Sequence, residues 1–179
     1  MEVNLVGTAP NKVLIHGPSK LLVNEYNWHD PNHGIVASYT PTAFDVKDHF
    51  GVFRGVDMIE SFAQATSGSC AEFLTRLKRG DDTSKTHSDF IPTFISVGGV
   101  NFHSYLLEGD TFISMGKIMF FKFRQIVIDG RVYKVPAGLD LNAHFKDFTT
   151  EKLNNYEIDD SFTLVAELFG ITGRAIKRK

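Results

Sequence analysis

The chain has 179 residues, a hydrophobic fraction of 42%, a charged fraction of 22% and a formal net charge of −2. These values fit one soluble globular domain able to bury a core, and they exclude a disordered or collagen-like chain. The small net charge gives no electrostatic reason to expect nucleic acid or an anionic membrane as a partner, and no apolar run reaches the roughly 18 residues of a membrane-spanning helix.

Met1-Glu2-Val3-Asn4 has neither the basic nor the apolar region of a signal peptide. Cys70 is the only cysteine, so no intrachain disulfide forms; both features predict a cytoplasmic protein. Leu21-Leu22-Val23 reads as a strand, Asn27 to Gly34 as a turn cluster, and Ile35 to Thr40 as the next strand. Gly55 to Lys78 carries the strongest helix pattern, with Val56, Ile59, Phe62, Ala63, Cys70, Phe73, Leu74 and Leu77 largely on one face. Gly68 weakens that pattern locally, because a mid-helix glycine costs about 1 kcal/mol relative to alanine. Cys70, in an apolar setting, reads as a small buried hydrophobe. Arg79 to Asp89 is a polar loop in which the Arg-Gly-Asp triplet is a loop accident. Phe94 to Val97, Val100 to Leu107, Thr111 to Phe123 and Gln125 to Val135 read as strands, the last with Asp129-Gly130 as a hairpin turn. Pro136 closes the series. Ser161 to Phe169 is predicted helical, with Asp160 or Ser161 as its N-cap. One long helix among several strands gives an α+β layout. Sixteen phenylalanines suit either a thick core or an apolar ligand tunnel.

Four landmarks in order carry a resemblance. The first is Leu14-Ile15-His16-Gly17-Pro18-Ser19-Lys20-Leu21-Leu22-Val23-Asn24, similar to L-P-H-R-x-P-x-L-L-V-D. Thr40 to Phe50 (TPTAFDVKDHF) follows T-x-N-E-x-F-F-x-G-H-F without a gap, and Gly55 to Gln64 (GVDMIESFAQ) follows G-x-x-x-x-E-A-M-A-Q. Phe102 with Gly109-Asp110, and Ile128-Asp129-Gly130-Arg131-Val132, match the later F-x-x-P-V-x-P-G-D strand and V-D-G-K-V hairpin. Over Lys12 to Val135 the chain therefore resembles the FabZ/FabA-type 3-hydroxyacyl-acyl-carrier-protein dehydratases of the hot-dog superfamily. It departs from them after His49, where His49-Phe50-Gly51-Val52-Phe53-Arg54-Gly55 replaces H-F-P-G-H-P-x-x-P-G. The loop is three residues shorter and has lost its prolines, which fix backbone angles.

The resemblance implies a hot-dog fold, an antiparallel sheet wrapped around a long central helix, over residues 1–135. An extension, 136–179, would pack on the same domain or on a partner subunit. It implies His49 and Glu60 as catalytic base and acid, Gly55 and Val56 as backbone donors to the thioester oxygen, and Gln64 as support for Glu60. It implies no cofactor and no metal. The partners would be an acyl group on acyl carrier protein or coenzyme A and a second copy of the chain, and the pathway fatty-acid or polyketide biosynthesis. The chemistry suits these residue types. Removing water from a 3-hydroxyacyl thioester needs a base at C2 and an acid at C3, and neutral histidine and a shielded carboxyl can supply them. The first N–H groups of a helix lack intrahelical partners and can face a developing enolate oxygen. The residues alone also allow His49 as an ordinary loop histidine, Glu60 as a solvated or interface residue, and Gln64 as an interface group. His16 reads as structural. A thioesterase, with Glu60 activating water, and a non-catalytic acyl-binding or partner subunit are the rival functions. The apolar set Phe162, Leu164, Val165, Leu168, Phe169 and Ile171 must dock somewhere, and Arg174, Lys177, Arg178 and Lys179 make a basic end suited to an acidic carrier.

Overall fold

The computed structural model describes residues 4–66, 80 and 90–177. The expected helical residues 67–78 (Cys70 among them), the Arg79–Asp89 loop apart from Gly80, and the last two basic residues lie outside that set. The strands are β1 (Glu25–Asp30), β2 (Gly34–Tyr39), β3 (Val52–Phe53), β4 (Phe90–Ser96), β5 (Gly99–Phe102), β6 (Leu106–Leu107), β7 (Phe112–Lys122), β8 (Gln125–Lys134) and β9 (Thr163–Lys177). Helix α2 (Gly55–Thr66) follows a short α1 (Pro10–Val13), and α3 (Leu141–Phe145) and α4 (Thr150–Asn155) lie between β8 and β9.

All pairings are antiparallel, in the order β1-β2-β7-β8-β9-β4, with β5 pairing β9 beyond the end of β4; β3 and β6 form a separate two-stranded ribbon. Strand alternation sends β2 to two cores at once. Ile35 and Ala37 join Leu5, Tyr26 and Ala65 on the helix side, while Val36 joins Ile113, Met115, Phe145 and Leu153 on the other. The main core holds Phe62 and Met58 of α2 against Phe112, Ile128, Val132, Leu168 and Ile171. A strand buried on both faces reads as a continuous apolar run, and β2 is buried at every position.

Helix α2 lies close on the sheet because two glycines face each other beneath it. Gly116 of β7 pairs with Gly130 of β8. A Cβ on Gly130 would stand 2.4 Å from the Phe62 ring, and one on Gly116 2.4 Å from Thr66 Cγ2. This corrects the expected hairpin turn at Asp129-Gly130, which instead lies within β8. The turn is made by Phe123 and Arg124, with φ 52° and 64°, between paired Lys122 and Gln125. Leu21 to Val23 is also not a strand; β1 starts at Glu25 and takes in part of the expected turn cluster.

The expected helix at Ser161–Phe169 is likewise corrected: the segment enters β9. Ile128 and Gly130 face Ile171 and Leu168, and Val132 and Tyr133 face Ala166 and Leu164. At each step β9 takes one extra residue, a bulge. The two bulges give Val165, Leu168 and Ile171 a three-residue spacing that imitates a helix, and Phe162, which precedes β9, adds a fourth at the same spacing although it packs in the other core with Phe145 and Leu153. Within β9, Leu164, Leu168 and Ile171 pair with β8 and residues 166–169 pair with β5, while Phe169 stays exposed.

Candidate functional site

His49 sits in a tight loop that does without the prolines. Asp48, Phe50 and Gly51 have φ of 59°, 57° and 74°, so two side-chain-bearing residues occupy left-handed backbone on either side of it. Such residues cost roughly 1–2 kcal/mol each, and the loop keeps them by hydrogen bonding. His49 N–H donates to Val46 O at 3.1 Å and Val52 N–H to His49 O at 2.9 Å; β3 then pairs with β6 through Phe53 and Leu106. The imidazole Nδ1 lies 3.1 Å from the carbonyl oxygen of Val52. A carbonyl only accepts, so Nδ1 carries the proton, and in the neutral ring Nε2 is left with the lone pair.

Glu60 is on the second turn of α2, with its side chain 41% exposed. Gln64, one turn later and buried, donates from Nε2 to Glu60 Oε1 at 2.9 Å and to Lys20 O at 2.8 Å. Its oxygen accepts from Leu22 N–H at 2.8 Å, which fixes the amide's orientation. Ser61 Oγ donates to Leu22 O at 2.7 Å, so α2 is laced to the Lys20–Leu22 segment by side chain to backbone bonds. His16 Nε2 stands 3.5 Å from Glu60 Oε1. Burial, opposed by the nearby Glu60 charge, holds the His16 pKa below the ordinary histidine value.

His49, Glu60, Gln64 and His16 all line one cavity of about 600 Å³. Its rim is charged: Lys20, Lys47, Asp45, Asp48, and Arg54 with Asp57. Arg54 grips Asp57 in a two-pronged ion pair at 2.6 and 2.8 Å, which raises the Arg54 pKa. Phe53 and Leu22 supply apolar wall. A second cavity, of about 430 Å³, shares His16, Glu60 and Gln64 and runs between α2 and the β4 and β9 strands, past Ile91, Phe94 and Ile171. The carboxyl of Glu60 thus borders a charged chamber on one side and a largely apolar one on the other.

The other expected site residues fall as follows. Gly55 and Val56 open α2, whose first turn is closed by Met58 N–H to Arg54 O at 3.0 Å. A Cβ at Gly55 would come 2.8 Å from the tip of the Phe102 ring, a half-exposed side chain that would have to turn aside to admit it. The Val56 side chain is 63% exposed, off the apolar face expected for it. Sequence reasoning passed over His16 as a participant; its only signal was its place in the first landmark. Among the described residues no group of three or more His, Cys, Asp and Glu is arranged to hold a metal ion.

No family model matches the chain, and no curated protein matches it. Solved structures do. The dehydratase heterocomplex ApeI:P from Xenorhabdus doucetiae is similar with a TM-score of 0.63 at 10% identity, over 94% of this chain and 91% of that one. The protein yhdA from Lactococcus lactis, named as a thioesterase, gives 0.52 at 10% identity, over 92% and 99%. At such identities the likeness is one of fold, and the fold is the α+β hot-dog: an antiparallel sheet with α2 against one face.

Proposed function

We propose that the chain binds an acyl thioester, carried by acyl carrier protein or coenzyme A, in the cavity between His49 and Glu60. There it removes water from the 3-hydroxyacyl group to leave a 2-enoyl thioester. His49 Nε2 takes the proton from C2, and the thioester oxygen gathers the charge opposite the N–H groups of Gly55 and Val56. Glu60 protonates the C3 hydroxyl, which departs as water while the C2–C3 double bond forms. The observation that carries this reading is the His49 Nδ1–H bond to Val52 O, which leaves Nε2 as base in a cavity that Glu60 also lines. Such chemistry belongs to fatty-acid or polyketide-type synthesis.

Thioester hydrolysis is the second reading, favoured by the exposure of Glu60, whose carboxylate can activate a water. A panel of 3-hydroxyacyl thioesters followed by mass spectrometry separates the two. Loss of water supports dehydration, release of free acid supports hydrolysis, and an unchanged substrate contradicts both. Among the described residues no strand pairs with the far side of β4, and that edge, with exposed Ile91, Phe94 and Ile95, supports a homodimer joined along it, since an open apolar edge strand is a template for pairing.

A further inference from the structure

His16 is the one group of the Glu60 cluster that the proposed reaction leaves unused, and two facts about it point the same way. Its Nε2 lies 3.5 Å from Glu60 Oε1, longer than a hydrogen bond and within about 0.5 Å of one. Its Nδ1 is buried with no hydrogen-bond partner among the described residues. A buried N–H without an acceptor is a rarer and costlier defect than a buried lone pair without a donor. The single proton of a neutral ring is therefore better placed on Nε2, beside the carboxyl. A second proton would have to sit on Nδ1, where nothing accepts it, so the same geometry keeps the ring neutral. Gln64 supplies the other half of the argument. Its amide is locked by Leu22 and Lys20 so that an N–H faces Glu60 Oε1.

We propose that His16 is a positioning residue for Glu60: its Nε2–H and the Gln64 N–H converge on Oε1, leaving the carboxyl's exchangeable proton on Oε2. The inference rests on the dehydration reading, in which Glu60 must present a proton to a leaving hydroxyl. A carboxyl free to carry that proton on either oxygen would be misdirected in part of the molecules. Oε1 has two lone pairs: the Gln64 N–H takes one at 2.9 Å, and His16 Nε2 stands 3.5 Å from the same oxygen, close enough to take the other after a small shift; Oε2 has no hydrogen bond among the described residues.

The test combines a spectrum and two variants. Long-range proton–nitrogen NMR of the imidazoles in the wild-type chain reports the His16 tautomer without any turnover. The expected result at pH 7 is a neutral ring protonated on Nε2; a ring protonated on Nδ1, or a charged ring, overturns the proposal. His16→Leu removes the donor and should lower kcat about tenfold to a hundredfold with little change in KM, whereas His16→Gln, whose amide N–H reaches the Nε2 position, should return kcat to within about threefold of wild type. Unchanged kcat in His16→Leu, or equal losses in both variants, overturns it as well. If the wild type dehydrates nothing, the proposed function fails, and the tautomer still decides the placement of the His16 proton.

Discussion

Replacing Gln64 by leucine removes the side chain that joins α2, the Lys20–Leu22 segment and Glu60. The Leu22 N–H, bonded to Gln64 at 2.8 Å in a buried setting, is left without its acceptor, which costs about 1–3 kcal/mol. The Lys20 carbonyl belongs to an exposed residue and can turn to water, so its loss adds little. For a chain of this length each kcal/mol moves Tm by roughly 2–4 °C, so a fall of about 2–12 °C is expected. Gln64→Glu is the sharper variant. It keeps an oxygen for Leu22, but sets its second oxygen against Lys20 O and Glu60 Oε1, two acceptors. Burial and the Glu60 charge then raise the new carboxyl's pKa in the folded chain above its unfolded value. The folded state holds that proton longer, so the variant loses stability relative to wild type as pH rises through the unfolded value, and recovers it in acid. Urea unfolding from pH 4 to 8, with the m-value checked for constancy, measures both variants. A Gln64→Leu chain within about 0.5 kcal/mol of wild type, or a Gln64→Glu deficit independent of pH, would refute this account of the amide.

Three further outcomes follow from the same geometry. Gly130→Ala places a methyl 2.3 Å from Met115 O and 2.4 Å from the Phe62 ring, and should cost about 3 kcal/mol in urea unfolding. The lowered pKa of His16 means that the unfolded chain takes up its proton first as pH falls; wild-type stability should drop below about pH 6.5, and His16→Gln should remove that share of the drop. Ile95→Lys, which puts a charge on the exposed edge of β4, should shift a dimer toward monomer in light scattering at micromolar concentration, whereas an unchanged dimer mass argues against that edge as the interface.

The stretches that align without a gap, Thr40 to Phe50 and Gly55 to Gln64, singled out His49 and Glu60 by their order and spacing. His49 and Glu60 do line one cavity. The missing prolines obscured how the loop holds its shape, which depends on left-handed Asp48 and Phe50 and on the distant β6, neither of them a local signal. Two errors have one cause. Asp129-Gly130 looks like a turn and Ser161 to Phe169 like a helix when read along the chain, but each pattern is set across the sheet. Gly130 is small because Phe62 lies on it, and β9 is spaced by threes because it bulges against β8. His16 was readable only as part of a motif; its partnership with Glu60 spans 44 positions and appears only once α2 is folded against the Lys20–Leu22 segment.

In the proposed reaction His49 and Glu60 act on one dehydration step. Single-turnover rates of His49→Ala, Glu60→Gln and the double variant on a 3-hydroxyacyl thioester test it most directly. Each single change should lower the rate by about 10²–10⁴-fold, and the double variant should be little slower than the worse single one, because groups that act as a unit do not add. Losses that multiply in the double variant, or a wild-type rate in either single one, would contradict it.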